Sequence, residues 1–182
     1  CGVLQTTPTN LYLAEVRHAR LPIVGITGSK GKSTTSTLLY ETLREAGQPV
    51  LLLGNIGVAA LDHLASVLTQ GAVTILEMSS YQCADLTVGP SIAVVLNLFP
   101  EHMDWHGSVE AYYQAKMRIA TTQLPGDLLR IDRRSVPWMQ PHRAVQAEEM
   151  LHTEEGIHFA KGWFYRGGER LFSDAQMRLP GR

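Results

Sequence analysis

The run Gly25-Ile26-Thr27-Gly28-Ser29-Lys30-Gly31-Lys32-Ser33-Thr34-Thr35 constrains this chain more than any other stretch. A short apolar segment, Pro22-Ile23-Val24, precedes it, and helix-patterned residues from Thr34 to Glu45 follow. Strand, glycine turn, Lys-Ser and helix in that order make a cradle for a polyphosphate. Glycines let the backbone bend so that successive N–H groups point inward at anionic oxygens. The helix that follows places the positive end of its dipole under the same anion. In such a loop Lys32 reaches the β- and γ-phosphates and the Ser33 hydroxyl ligates Mg²⁺. The spacing departs from the usual Walker pattern: counting back from Gly31, the first glycine belongs at Ile26, and the glycines available are Gly25 and Gly28. The flanking strand and helix, with Lys-Ser-Thr-Thr at the helix start, still carry the reading of a nucleoside triphosphate site. Lys30 either adds charge to that site or faces solvent.

At 182 residues the chain is long enough for one well-buried α/β domain and short for two. Hydrophobic residues make up 45%, which argues against disorder. A net charge of −1 gives no bulk electrostatic case for nucleic acid or a membrane surface as partner. Two cysteines, Cys1 and Cys83, supply neither a disulfide framework nor a metal-site spacing, which suits a reducing cytoplasm. No apolar run approaches a membrane span, and no leader opens the chain. The first residue is Cys rather than Met, as expected of a trimmed chain.

Along the chain, residues 1–20 read as a polar linker with a short helix, and Gly47-Gln48-Pro49 stops the first long helix. Apolar runs at Val50–Leu53, Val73–Leu76 and Ile92–Leu96 read as further strands, and Ala59–Leu68 and Val109–Ala120 have helical spacing. Continuous β-branched and Leu runs alternating with helices predict an α/β fold, a mostly parallel sheet with helices on both faces. Residues 125–182 look different. Hairpin-like segments at Ile157–Phe159, Trp163–Tyr165 and Leu171-Phe172 predict a small antiparallel β extension there.

Parallel sheets bind ligands at the carboxyl ends of their strands. A polar cluster follows each strand here: the glycine loop, Gly54-Asn55-Ile56-Gly57, Glu77 to Gln82, and Asn97 to His106. Four clusters at one edge make one site. Glu77 ends a strand of apolar residues, where a carboxylate is costly unless solvated, paired or metal-bound. It is read as a second Mg²⁺ ligand or an anchor for the waters of that ion, against the alternative of a strand-end ion pair. His102, Asp104 and His106 form a His-x-Asp-x-His patch, in which the two imidazoles point the same way if the segment is helical. The alternative is a hydrogen-bonded loop. Composition alone makes Lys116 an ordinary surface lysine, and Trp138, Trp163 and Phe164 packing residues.

Together these clusters resemble the central, ATP-binding domain of the Mur ligase family, the cytoplasmic enzymes that build the peptide of bacterial peptidoglycan. The matching stretches are Thr27-Gly28-x-x-Gly31-Lys32-Ser33-Thr34, Gly54 to Gly57, Glu77-Met78-Ser79-Ser80-Tyr81-Gln82, Asn97 to Asp104, and Tyr113-x-x-Lys116-x-Arg118. They lie in family order and span about residues 22–120. The Gly-Asn-Ile-Gly turn and the Glu-x-Ser-Ser-aromatic-Gln stretch are most similar to the branch that adds D-glutamate to UDP-MurNAc-L-alanine. The resemblance implies P-loop roles for Thr27, Gly28, Ser29, Lys30, Gly31, Lys32, Ser33 and Thr34 toward ATP. It implies Mg²⁺ binding by Ser33, Glu77 and His102, substrate contacts by Asn55 and Ser79 or Ser80, and catalytic roles for Lys32, His102 and Lys116. In the family the lysine matching Lys116 is carbamylated, which turns a cation into an anion that helps hold a second Mg²⁺.

The implied reaction has two steps. ATP phosphorylates the acceptor carboxylate, and the amine of D-glutamate then displaces phosphate to form an amide. The resemblance further implies a cytoplasmic monomer, with residues 1–20 linking from an N-terminal domain and residues 21–182 forming the central domain of a longer enzyme. Such a fragment is expected to be inactive alone. Several positions depart from the family pattern without removing a catalytic group: Lys30, Tyr81, Cys83, Glu101 and Trp105. The competing readings are another Mur or folylpolyglutamate synthetase-like acid–amino acid ligase, and a non-catalytic nucleotide-binding module.

Overall fold

The computed structural model describes residues 5–55, 58–138, 157–160, 163–166 and 168–173, with side chains for all of these except 133, 157–160, 163–166, 172 and 173. Ile56 and Gly57 of the sequence reading therefore lie outside the described residues, as do the side chains of Trp163 and Phe164. The chain divides into two compact units, Cys1–Glu148 and Glu149–Arg182.

The first unit is built on five parallel strands: β1 (Ile23–Thr27), β2 (Val50–Gly54), β3 (Val73–Glu77), β4 (Ile92–Val95) and β5 (Leu128–Ile131). Their order across the sheet is β2-β3-β1-β4-β5, which puts β1 in the middle. The helices are α1 (Pro8–His18), α2 (Lys32–Glu45), α3 (Leu64–Gln70), α4 (Ser80–Ala84), α5 (Met103–His106) and α6 (Val109–Thr121). Short 3₁₀ turns occupy Ala60–His63 and Arg133–Trp138.

Strand period explains the two cores. Ile23, Leu53, Leu76, Ala93 and Val95 face one side, where α1 (Tyr12, Leu13, Val16), Val67 of α3 and Met117, Ile119 and Ala120 of α6 cover them. Val24, Ile26 and Ile75 face the other, under Leu39, Tyr40 and Leu43 of α2. Both faces are apolar, as a doubly covered parallel sheet demands. The expected fold class is the observed one.

Two segments differ from the sequence reading. Residues 1–20 read as a linker with a short helix, yet Pro8–His18 is a core element with Tyr12, Leu13 and Val16 fully buried. Thr7 caps α1 by accepting from Asn10 N, and Pro8 begins the helix where its missing N–H costs nothing. The Tyr12 hydroxyl meets Thr74 Oγ1 at 2.6 Å, and Arg17 pairs with Asp127 through two bonds of 2.7 and 2.9 Å. Polar intervening residues hid this apolar stripe. The second difference is β5. Residues 125–182 were grouped as an antiparallel extension, but Leu128–Ile131 pairs parallel to β4 with Ile92 opposite Leu128. Within the second unit the extension is as expected: β6 (Ile157–Ala160), β7 (Trp163–Arg166) and β8 (Glu169–Ser173) form an antiparallel sheet in chain order.

Candidate functional site

The glycine loop leaves the carboxyl end of β1, flanked by β3 on one side and β4 on the other. Thr27 is fully buried and donates from Oγ1 to Met78 O at 2.9 Å, tying the loop's first residue to the segment beyond β3. Gly31 precedes α2 at φ +85°, a left-handed conformation that a side chain disfavours. Among the described residues no side chain caps α2, so its first N–H groups stay available to an anion. Ser33 and Thr34 are exposed in the first turn of that helix. The Lys32 ammonium lies over the loop itself, donating to Gly28 O at 2.9 Å and to Ser29 O at 3.1 Å. Lys30, read as either a phosphate ligand or a solvent-facing group, pairs instead with Glu101 at 2.5 Å while 74% exposed. That ammonium holds the Glu101 carboxyl below its usual range.

Lys116 is not the surface lysine that composition suggested. It projects inward from α6, is 2% exposed, and donates from Nζ to the same Gly28 O at 3.0 Å. Its ammonium stands 5.0 Å from the centre of the Tyr112 ring and 3.5 Å from Thr27 Oγ1. Burial of a cation is costly, and it pulls this amine down from 10.5 to about 8, with the nearby Lys32 charge adding to the effect. The same burial pushes the Cys83 thiol up to about 11, so that sulfur sits neutral beside Thr27.

Glu77 ends β3 opposite Ile26 of β1 and Gly54 of β2, and is 1% exposed. One of its oxygens accepts from Asn55 Nδ2 at 3.2 Å, while the buried Oε2 has no hydrogen-bond partner among the described residues. A carboxylate oxygen in that condition is costly unless something positive completes it. The donor chemistry fits Mg²⁺, which takes one or two carboxylates together with phosphate oxygens and water. Among the described residues no group of three or more His, Cys, Asp or Glu forms a metal cluster, so Glu77 is not part of an all-protein cage.

The approach of β2 to this carboxylate is set by Gly54. A Cβ there would sit 2.3 Å from Glu77 O, and φ is +103°. Gly54→Ala is therefore expected to destabilise the domain by about 2–4 kcal/mol and to displace Asn55 from Glu77. Thermal melting of the variant checks this; an unchanged midpoint would refute the close approach.

Beyond β4 the chain turns through His102, which has φ +55° and precedes the single turn of α5. His102 and His106 do lie together: both rings contact Tyr81 (5.4 and 5.8 Å) and Tyr112 (6.3 and 5.2 Å). Asp104 is exposed and joins no cluster with them. His106 Nε2 lies 3.0 Å from Ser80 Oγ, and burial, with the charges of His102 and Lys116, lowers its pKa. Ser79 caps α4: its hydroxyl and N–H both bond Gln82 Oε1, and it accepts from Gln82 N. Of the two serines, Ser80 faces the histidine pair and Ser79 serves the helix.

Two residues of the site were not singled out from sequence. Tyr112 bonds Ser29 Oγ at 2.9 Å and carries Lys116 over its ring, a link whose only sequence signal is the four-residue spacing on α6. Asn97 opens a polar cluster and a family-matching stretch in the sequence but was given no role, yet both of its side-chain polar atoms bond the backbone of Lys30.

Comparison with known proteins gives the family and the fold. The Mur ligase middle domain family matches residues 26–151. A UDP-N-acetylmuramoyl-L-alanine--L-glutamate ligase from Micromonospora sp. is 40% identical over 100% of the chain and 39% of its own length. A UDP-N-acetylmuramoylalanine--D-glutamate ligase from Geobacillus sp. is 37% identical over 88% of the chain and 37% of its own. The chain thus spans about two fifths of the length of these relatives. In fold it is similar to the MurF ligase from Thermotoga maritima in complex with ADP, with a TM-score of 0.66, 20% identity, and coverage of 93% of this chain and 44% of that one. It is also similar to E. coli FolC in complex with DHPP and ADP, with a TM-score of 0.61, 16% identity, and coverage of 93% and 53%. With the family match covering its nucleotide loop, Glu77, His102 and Lys116, the chain belongs to the Mur ligase middle domain family.

Proposed function

We propose that this chain is the ATP-binding part of a ligase of peptidoglycan-precursor synthesis that joins glutamate to UDP-MurNAc-L-alanine. The observation that carries the reading is the convergence of Lys32 and Lys116 on one carbonyl, Gly28 O, beside the half-paired carboxylate of Glu77. A carboxylate attacking a γ-phosphate faces anion–anion repulsion, so the protein's work is to position both groups and neutralise charge. Lys32 leaves the loop carbonyls for the phosphates, and the open N-terminus of α2 receives the same oxygens. Glu77 and the Ser33 hydroxyl would hold Mg²⁺, and His102 a second ion near the acceptor; bound there, Mg²⁺ neutralises phosphate charge as a Lewis acid. Asn55 and Ser80 would contact the acceptor.

Lys116 is read as carbamylated in the working enzyme. Only a neutral amine attacks carbon dioxide, losing a proton as the N–C bond forms. An amine drawn down to about 8 has far more of that form near neutral pH than an ordinary lysine.

The resemblance of Gly54-Asn55 and Glu77 to Gln82 to the D-glutamate branch supports D-glutamate as the incoming amine. L-Glutamate is the second reading, favoured by relatives from Micromonospora sp. and Salinispora tropica that carry its name. Residues 21–182 are read as the central domain, with α1 extending it back to Pro8. Phosphate release by the full-length ligase containing this segment, with UDP-MurNAc-L-alanine and either glutamate enantiomer, tests the proposal. Release with neither enantiomer would reject it, and release with L-glutamate alone would select the second reading.

A further inference from the structure

The tip of the glycine loop is sewn to the segment that follows β4 by bonds running in both directions. Ser29 N donates to Asn97 O at 2.8 Å, and Ser29 Oγ both donates to Phe99 O and accepts from Phe99 N at 2.8 Å. Lys30 N donates to Asn97 Oδ1 at 2.9 Å, and Asn97 Nδ2 donates back to Lys30 O at 3.0 Å. The Lys30–Glu101 ion pair continues the seam to the residue before His102. Tyr112 joins the same Ser29 hydroxyl to a ring that contacts both histidines.

An amide that satisfies both backbone groups of one residue fixes position and direction together. A rotation of Lys30 that opens the loop must break both bonds or carry Asn97 with it. Asn97 in turn is five residues from His102, in a segment without regular structure that Ser29 grips at Phe99. Loop and histidine segment therefore have one shared arrangement.

We propose that Asn97 is a positioning residue that couples the nucleotide loop to the His102 segment, so that filling one site changes affinity at the other. This rests on the triphosphate reading of the loop. Coupling of this kind is reciprocal and amounts to about 5–150-fold in binding. An isolated surface ion pair such as Lys30–Glu101 contributes little by comparison.

The test measures binding of a non-hydrolysable ATP analogue with Mg²⁺ to the full-length ligase, with and without saturating UDP-MurNAc-L-alanine. In the wild type the acceptor is expected to tighten the analogue by about tenfold. In Asn97→Ala that factor falls to about one, while the analogue still binds. Asn97→Asp keeps the acceptor for Lys30 N and loses the donor to Lys30 O, so its factor falls between, and it carries the test if the alanine variant fails to fold. A purely structural role would weaken both ligands and leave the factor intact, which would overturn the proposal. So would a wild type without coupling. Analogue that does not bind the wild type at all would instead remove the triphosphate reading itself.

Discussion

Lys32→Ala in the full-length ligase is expected to lower kcat by at least about 10²–10³-fold while the domain stays folded. The side chain is only partly buried at the start of α2. Its two hydrogen bonds go to loop carbonyls, and one of these, Gly28 O, keeps the Lys116 ammonium when Lys32 is gone. On the proposed reading, what is lost is the positive charge that would meet the γ-phosphate as a second anion approaches it. Phosphate release, with circular dichroism melting as the control for folding, measures the two effects separately. Full turnover in the variant would remove the phosphate role of this lysine.

Lys116→Met is expected to act oppositely on stability and activity. A pKa drawn from 10.5 to about 8 by burial corresponds to about 3 kcal/mol of cost in keeping the folded amine charged. Loss of the bond to Gly28 O offsets about 1 kcal/mol, and Lys32 still satisfies that carbonyl. A methionine of similar length should therefore raise stability by about 2 kcal/mol at pH 7 over the wild type with its amine free, both proteins being melted without bicarbonate or carbon dioxide. Between pH 8 and 10.5 the unfolded chain binds more protons at this group than the folded chain does. Wild-type stability accordingly gains from rising pH across that window, because the cost is present below pH 8 and relieved above it. The methionine variant lacks that slope. On the proposed reading it also lacks the amine that carbon dioxide would modify, so ligase turnover is expected to vanish. Melting curves of both proteins from pH 7 to pH 10 check the sign, and a destabilised variant with an unchanged slope would refute it.

Repetition made some of this legible in the chain. Apolar runs of four or five residues, each followed by a polar cluster, fix strands whose carboxyl ends share an edge, and Ile23–Thr27, Val73–Glu77 and Ile92–Val95 all behave so. Glu77 was conspicuous because a carboxylate contrasts with the residues before it. Lys116 was silent: helix α6 is amphipathic with or without it, and only a family pattern marks it. Tyr12, Leu13 and Val16 were missed because a short stripe among polar residues does not announce what it packs on. Leu128–Ile131 was missed for a related reason, since four residues carry no sign of whether their neighbour runs parallel or antiparallel. The Asn97 clamp depends on the distance between two loops 67 residues apart in sequence, which no local pattern encodes.

Much of the scaffold at this edge is held by main-chain groups: Asn55 N to Glu77 O, Met78 N to Ile26 O, Leu96 N to Thr27 O and Ser29 N to Asn97 O. Bonds of that type are indifferent to side-chain identity. Sequences can drift a long way without loosening the frame, which accounts for a shared architecture with MurF and FolC at 20% and 16% identity. Those amides are spent on one another, so recognition at this edge falls to the side chains and to the unpaired first turn of α2, which is where variation would change what binds.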